Sequence, residues 1–243
     1  MRVYRGKLPF AGRSLCLLVV IFSAAASHHA LTQDEPRIRV ENGDLIIEDK
    51  AFFLSSAKWQ HNSIYVCWEN HAELDPSDIT LAQNAVKRTW EEHSALNFNF
   101  TGDCLENSAG LRVLVEDDSN NTPHVKALGQ QLDGIKEGIV LNFTFNNWRP
   151  RCKYERTSCI ESVTIHEFGH AIGFSHEQNR PDTKGECALM NDGPDGDTYL
   201  LTPWDPNSVM NYCNKKFNNG GNLSQTDILA LKIAYPLEGS NRK

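Results

Sequence analysis

Apolar positions repeat with two different periods along this chain, first every two residues and later at helical spacing. Alternating apolar and polar residues predict strands at 37–40, 45–48, 63–68, 96–100, 111–116 and 139–145. An Asn-Gly pair at 42–43 separates the first two strands and predicts a tight hairpin. Helical spacing predicts a helix from Pro76 to His93, capped by Ser77 or Asp78. The first half is therefore predicted to be a mixed sheet with one helix across it.

The second half of the chain has the longer period and more turn residues. Apolar residues at helical spacing predict a helix over 159–174, which ends at Gly173. Residues 181–222 are rich in Asp, Gly, Asn and Pro and predict a long ordered loop. A last helix is predicted to begin at 223–227 and to run through Ala234. The two halves together predict an α+β domain.

The first 26 residues have the layout of a signal peptide. Basic residues precede an apolar run at 15–22, and small residues follow that run. The run is shorter than the ~20 residues that cross a bilayer, so cleavage and export are expected, with an uncleaved anchor as the alternative. Residues 27–59 are then an N-terminal segment, either a propeptide or a hairpin, and 60–243 form the main domain.

Charge and cysteine content narrow the range of partners and compartments. The formal charge is −7, and removal of the four basic residues of the leader makes it −11, which disfavours nucleic acid. Six of the seven cysteines follow the leader, and an even number in an exported chain predicts disulfides. Proximity in the sequence favours the pairs Cys67–Cys104, Cys152–Cys159 and Cys187–Cys213.

Residues with metal-binding chemistry lie on the second predicted helix. His166 and His170 are four residues apart, so both imidazoles project from one face and can bind one ion. Gly173 can adopt the left-handed conformation that turns the chain and brings His176 round as a third ligand. Three histidines leave one position of a zinc ion open for water. We therefore predict one Zn²⁺ per chain at these three histidines.

Glu167 lies between the first two histidines and is the predicted general base. Zinc lowers the pKa of its bound water to about 7, and a carboxylate within hydrogen-bond reach can accept the proton as the water attacks. The carboxyl group would then give this proton to the departing amine. On an ordinary amphipathic helix, the same glutamate and histidines would be surface residues without chemistry.

The run HEFGHAIGFSHEQNRPD at 166–182 resembles the metzincin zinc peptidases, and the astacin family in particular, because Glu177 directly follows the third histidine. The run Ser-Val-Met-Asn-Tyr at 208–212 is similar to the methionine-containing turn that metzincins place beneath the zinc. The resemblance implies that Met210 supports the metal site and that Tyr212 approaches the zinc and stabilises the transition state. It also implies that Glu177 helps to anchor a buried mature N-terminus.

This resemblance implies a metzincin-like catalytic domain. The expected fold is a twisted mixed sheet with an active-site helix, above a loop-rich lower part that holds a C-terminal helix. The resemblance covers about residues 60–236 and is specific at 159–182 and 203–212. Asn211 stands where astacins usually have histidine, and residues 183–202 do not follow the family. An outlying astacin-like branch is therefore expected.

The sequence as a whole predicts a secreted zinc endopeptidase that acts on proteins or peptides. It is expected to be a monomer and not to insert into a membrane after signal cleavage. The alternatives are a zinc-containing binding module without turnover, a zinc amidase that acts on non-protein amides, and a disulfide-stapled domain without catalysis. A Gly-Asp pair at 43–44 allows an aspartate plug on the metal, although the hairpin turn explains the same residues.

Overall fold

The computed structural model describes residues 38–41, 44–47, 52–193 and 199–237. The predicted signal peptide and the predicted turn at 42–43 lie outside these residues. The strands that flank the turn, β1 (Ile38–Glu41) and β2 (Asp44–Ile47), pair antiparallel as the hairpin prediction requires. Within the described ranges, no helix has the length and apolar character needed to cross a bilayer.

Five strands form a mixed sheet in the order β5-β4-β6-β8-β7. They are β4 (Ser63–Trp68), β5 (Asn97–Asp103), β6 (Leu111–Val115), β7 (His124–Val125) and β8 (Ile139–Leu141). Four of these strands run parallel, and β7 is antiparallel to β8 at one edge. The predicted mixed sheet is confirmed.

One predicted strand is shorter than the alternating pattern suggests. The prediction ran to Phe145, but β8 ends at Leu141. The side-chain oxygen of Asn142 accepts hydrogen bonds from the backbone N–H groups of Thr144 and Phe145, at 3.0 and 2.8 Å. Phe145 takes a φ of 56°, outside the range of a strand. A local turn therefore replaces the end of the strand.

The first helix, α1 (Pro76–Val86), continues as a π-helical turn at Lys87–Glu91. Its N-cap is Asp75, so the predicted cap at Ser77 or Asp78 was wrong. The Asp75 carboxylate accepts hydrogen bonds from both the N–H and the hydroxyl of Ser77, at 2.8 and 2.7 Å. Proline at the first helical position has no N–H that would need a partner.

Two further helices frame the second half of the chain. Twelve of the 16 residues of α2 (Arg156–Ala171) are buried, so this helix runs through the interior. The last helix, α3 (Gln225–Ala234), begins with a capping box between Ser224 and Asp227. The described parts of the predicted loop between them are mostly irregular, with short 3₁₀ turns and a strand, β9 (Tyr199–Leu200), which pairs with β3 (Phe52–Phe53).

Within the described residues, one apolar core joins the five-stranded sheet to α1, α2 and α3 and holds the C-terminal half of α2 in place. The indole N–H of Trp90 donates to the carbonyl of Ile165 at 2.9 Å. The indole N–H of Trp59 donates to the carbonyl of Ala171 at 2.8 Å. Both tryptophans are buried, so the segment of α2 between these carbonyls has a fixed position in the core.

Three disulfides confirm the predicted pairing. Cys67–Cys104 joins β4 to the residue after β5. Cys152–Cys159 closes a short loop at the start of α2, and Cys187–Cys213 ties the 3₁₀ turn at Gly185–Met190 to the segment before α3. Such bonds form and persist in oxidising compartments, outside the cytosol.

Candidate metal and catalytic site

Three imidazoles from α2 and the segment after it converge on one point. The Nε2 atoms of His166 and His170 lie 3.3 and 3.1 Å from the Nε2 atom of His176. Ligands of a tetrahedral zinc ion, at about 2.05 Å from the metal, are separated from one another by roughly 3.3 Å. Both separations from His176 therefore match the spacing that a zinc ion requires, and all three ligand atoms lie within 4.8 Å of one another.

Two backbone carbonyls determine which imidazole nitrogen faces this point. The Nδ1 atom of His166 lies 2.8 Å from the carbonyl oxygen of Val209, and Nδ1 of His170 lies 2.7 Å from that of Phe174. Because a carbonyl oxygen can only accept, both Nδ1 atoms carry the proton and donate it. The Nε2 atoms then present lone pairs to the shared centre, and a cation between them satisfies both.

Burial keeps the three imidazoles neutral. Burial and, to a smaller extent, the neighbouring imidazoles together lower the pKa of His166, His170 and His176 to about 3. Neutral imidazole is the form that binds a metal ion, so no proton has to leave these rings at neutral pH. In the part of the chain that the structure describes, no other group of histidine, cysteine or acidic side chains converges in this way.

The turn after α2 depends on a glycine. Gly173 has a φ of 104°, and a Cβ atom at this position would lie 2.8 Å from Cε2 of Phe53. Backbone hydrogen bonds from Leu54 to the carbonyl of Gly173, and from Ser175 to that of Phe52, hold the returning chain against β3. The chain therefore reverses immediately after the helix and directs His176 back toward the two helical histidines.

Glu167 is buried beside the metal point, and the structure describes no hydrogen bond to its carboxyl group. Burial raises the pKa of this carboxyl group to about 8. A divalent cation held by the neighbouring histidines opposes this effect, because positive charge favours the carboxylate. The carboxyl group of Glu167 therefore favours the protonated form when burial dominates and the ionised form when a cation lies at the metal point.

The segment 208–212 lies against α2 at the metal site. Met210 is buried, and its Sδ atom would lie only 2.4 Å from a Cβ atom built on Gly169. The backbone N–H of Glu177 donates to the carbonyl of Met210 at 2.9 Å. Only a glycine at position 169 allows this methionine to approach the helix so closely.

Tyr212 follows this turn and packs against two of the three histidines, stacked on His166 and tilted against His176. The centre of its ring lies 4.3 Å from that of His176 and 5.2 Å from that of His166. Although the side chain is half-exposed, partial desolvation by the surrounding residues raises the pKa of the phenol, and the negative charge of Glu167 acts in the same direction. The hydroxyl therefore stays protonated at neutral pH and can donate a hydrogen bond.

Glu177, which the resemblance assigns to an N-terminal anchor, has other partners in the described residues. Its carboxylate lies 3.3 Å from Nη1 of Arg180 and accepts a hydrogen bond from the N–H of Asp205 at 2.8 Å. Burial raises the pKa of Glu177 well above its usual value, and the nearby Asp227 and Asp205 act in the same direction against Arg180. This carboxylate therefore ties the residue after the third histidine to the loop before Met210.

Sequence reasoning did not identify the hydrogen bonds of Asp227 and Asn211 that hold the segment 208–212. The carboxylate of Asp227 accepts hydrogen bonds from the hydroxyl of Ser208 and the N–H of Val209, at 2.7 and 2.9 Å. The fully buried amide of Asn211 donates to the carbonyl of Asp205 at 3.2 Å. A serine three residues before an aspartate indicates the helix cap that Asp227 forms. No sequence signal indicates that the carboxylate of Asp227 also binds the segment 208–212.

A cavity of about 660 Å³ opens beside His166 and Glu167. The Cys152–Cys159 disulfide and α2 contribute to its lining, as do Met190, Tyr212 and Phe217. The guanidinium of Arg149 stacks on the ring of Phe217, 3.5 Å from its centre. Thr122 and Pro123, which directly precede the edge strand β7, also line the cavity. A ligand in this cavity would contact both the sheet edge and the residues around the metal point.

Comparisons with known proteins agree with these features. The model of the Astacin peptidase family matches residues 154–193, which include α2 and all three histidines. A structure of myroilysin is similar with a TM-score of 0.58 and 18% identity, over 77% of this chain and 99% of that chain. A crystal structure of myroilysin is similar with a TM-score of 0.52 and 18% identity, over 75% of this chain and 87% of that chain.

A third solved structure is high choriolytic enzyme 1, a hatching enzyme zinc-protease from Oryzias latipes (medaka fish). It is similar with a TM-score of 0.48 and 17% identity, over 77% of this chain and 98% of that chain. No curated protein sequence matches this chain.

Proposed function

We propose that this chain, an astacin-like metzincin and zinc metalloendopeptidase, is exported and cleaves proteins or peptides with Glu167 as general base. The matched segment and the fold shared with myroilysin indicate the class of enzyme. The convergence of three neutral imidazoles at 3.1 to 3.3 Å is the observation that carries the proposal.

His166, His170 and His176 would hold one zinc ion, which when bound lowers the pKa of water and polarises the scissile carbonyl as a Lewis acid. The protein contributes the orientation of these ligands. The carbonyls of Val209 and Phe174 hold the Nδ1 protons, so neither of the helical imidazoles can rotate without losing a hydrogen bond.

Glu167 would move the proton during hydrolysis. Its carboxylate accepts a proton from the attacking water and then donates it to the departing amine nitrogen, so that the C–N bond can break. General base catalysis is most effective when the pKa of the base lies near the working pH. Burial raises the pKa of Glu167 to about 8, and the cation that the histidines hold lowers it, so the two effects together favour this range.

Tyr212 would act on the oxygen of the substrate carbonyl. A protonated phenol that packs beside His166 and His176 can donate a hydrogen bond to the oxyanion as negative charge develops. The raised pKa of the phenol supports this role, because the donor does not lose its proton at neutral pH.

The substrate would bind as an extended strand along the edge of the sheet. In the described residues, β7 pairs only with β8, so one side of β7 has free backbone groups. Thr122 and Pro123 connect this edge to the cavity beside Glu167. Proteins commonly bind a polypeptide by adding it as a strand at a sheet edge. A free edge beside the cavity therefore favours a peptide over a small amide as the substrate.

Export and the monomeric state are also proposals. Three disulfides support export, because they form in oxidising compartments. The predicted signal peptide, which lies outside the described residues, supports the same route.

The test is hydrolysis of an unstructured protein mixture by the purified exported protein, with zinc measured in the same samples. Glu167→Gln should retain one equivalent of zinc and lose cleavage by about 10²-fold to 10⁴-fold. Glu161→Gln is the matched control, because Glu161 lies on the same helix and pairs with Arg88 at 3.3 Å. Bound zinc without cleavage, even after removal of the residues before 60, would favour a binding module or an amidase.

A further inference from the structure

Tyr212 is held by a residue that follows the third histidine. The backbone N–H of Tyr212 donates to Oε1 of Gln178 at 3.0 Å. Gln178 is 2% exposed, whereas Tyr212 is 49% exposed. The aromatic contacts of Tyr212 with His166 and His176 leave the ring some freedom, because aromatic pairs are favourable over a range of centroid separations of about 4.5–7 Å. The hydrogen bond to Gln178 is directional and fixes the backbone from which the ring projects.

Gln178 also belongs to a pair of hydrogen bonds between the same two segments. The N–H of Glu177 donates to the carbonyl of Met210, and the next residue, Gln178, accepts from Tyr212. The first bond lies entirely in the backbone, so it is independent of side-chain identity. The second requires a side chain that reaches Tyr212 with an acceptor at its end. The register between the segments therefore depends on the identity of residue 178.

Gln178 itself has a fixed position. It lies in the 3₁₀ turn Glu177–Asn179, and its carbonyl accepts a hydrogen bond from the hydroxyl of Thr183 at 3.1 Å. Because Gln178 is buried in a constrained turn, its side chain has little freedom to move, and the hydrogen-bonded backbone of its partner is restricted in turn. The backbone of Tyr212 is thus positioned relative to His176, which lies two residues before Gln178.

We propose that Gln178 is a positioning residue for catalysis, which acts by setting the distance of the Tyr212 phenol from the reacting carbonyl. This inference rests on the proposed function, since it requires Tyr212 to donate to the oxyanion. A displacement of about 1 Å at a reacting group can reduce the rate by roughly 10²-fold. Asparagine at this position is too short, methionine has the length without a strong acceptor, and glutamate keeps the acceptor.

The experiment is a double-mutant cycle with Gln178→Met and Tyr212→Phe on the zinc-loaded protein and a fluorogenic peptide. Gln178→Met should lower kcat by about tenfold to a hundredfold and leave KM nearly unchanged. In the Tyr212→Phe background the same change should alter kcat by less than about twofold, since the hydroxyl is already absent. Gln178→Glu should recover most of the activity. Gln178→Asn replaces Gln178→Met if the latter does not fold.

A second measurement does not depend on turnover. Calorimetry gives the affinity of the same four proteins for a phosphinic peptide, whose tetrahedral phosphorus resembles the transition state. Gln178→Met should weaken this binding by about tenfold in the wild-type background and hardly at all with Tyr212→Phe. Zinc content and the midpoint of thermal unfolding are measured for every variant.

Three results would overturn the inference. Equal losses in both backgrounds would show that Gln178 does not act through Tyr212. Loss of zinc with Gln178→Met would assign the residue to the metal site instead. An unchanged kcat in Tyr212→Phe would remove the role that Gln178 supports. If the wild type binds zinc but cleaves nothing, the proposed function fails, and the cycle on phosphinic peptide affinity decides the role of Gln178 by itself.

Discussion

Replacement of Gly169 by alanine would test how closely Met210 packs beneath the active-site helix. A Cβ atom at position 169 would lie 2.4 Å from Sδ and 3.1 Å from Cε of Met210, and 3.0 Å from Cζ2 of Trp90. The methionine end is flexible and can move. The indole cannot follow easily, because its N–H is bonded to the carbonyl of Ile165. The strain therefore falls mainly on Met210.

Two opposing terms set the expected size of this effect. Overpacking of a core costs about 1–3 kcal/mol. Alanine in a helix interior is more favourable than glycine by roughly 1 kcal/mol. The net change for Gly169→Ala is therefore a loss of about 0–2 kcal/mol in the free energy of unfolding. In a Met210→Ala background only the 3.0 Å approach to Trp90 remains, so Gly169→Ala should lie between neutral and a gain of about 1 kcal/mol.

The assay is urea unfolding of the wild type, both single variants and the double variant, with disulfides intact and a chelator present. The chelator removes differences in zinc affinity from the measured stability. Ser158→Ala, at an exposed position of the same helix, is the control for helix propensity and should gain a few tenths of a kcal/mol. The expected coupling energy is about 1–3 kcal/mol. Additive effects of the two substitutions would refute the packing argument.

Three further predictions concern protonation, backbone strain and cross-linking. Because the pKa of Glu167 is raised to about 8 without metal, zinc binding must displace its proton. With a zinc-bound pKa between about 6 and 7, calorimetric zinc affinity should fall about twofold to fivefold from pH 7 to 6 in the wild type and stay level in Glu167→Gln, and equal slopes would contradict this. Gly173→Ala should lose about 2–4 kcal/mol by thermal unfolding, since its φ is 104° and the added atom meets Phe53; a loss below 1 kcal/mol would show that the turn adapts. Paired serine substitution of Cys187 and Cys213, which are 26 residues apart, should cost about 3.5 kcal/mol in urea, and an unchanged midpoint would contradict it.

The parts of the fold that follow from local pattern could be predicted from the sequence. The strand at Ser63–Trp68 and the burial of α2 follow from the periodicity of apolar residues, because each repeat reflects one buried face. His166 and His170 could be placed together for a similar reason, since four residues make about one helical turn. The three disulfides join cysteines that are near in sequence, so proximity gave the right pairs.

The remaining features depend on contacts between distant residues or on competition between neighbours. Asp75 caps α1 in place of Ser77 because its carboxylate binds two donors of that serine at once. Asn142 ends β8 through its own side chain, although the apolar alternation continues beyond it. Asp227 lies 18 residues after Val209, and only the packing of α3 brings its carboxylate to that backbone. No local pattern in the sequence distinguishes such contacts from ordinary polar positions.

The hydrogen bonds of Val209 determine when the metal centre can form during synthesis. Its carbonyl orients His166, and its N–H is held by Asp227 on the last helix. A ribosome produces the His-Glu-Phe-Gly-His run long before it reaches this aspartate. The emerging polypeptide therefore has its ligands without the support that orients the first of them. Proteolytic competence should arise only after α3 has been translated and has docked against the turn at 208–212.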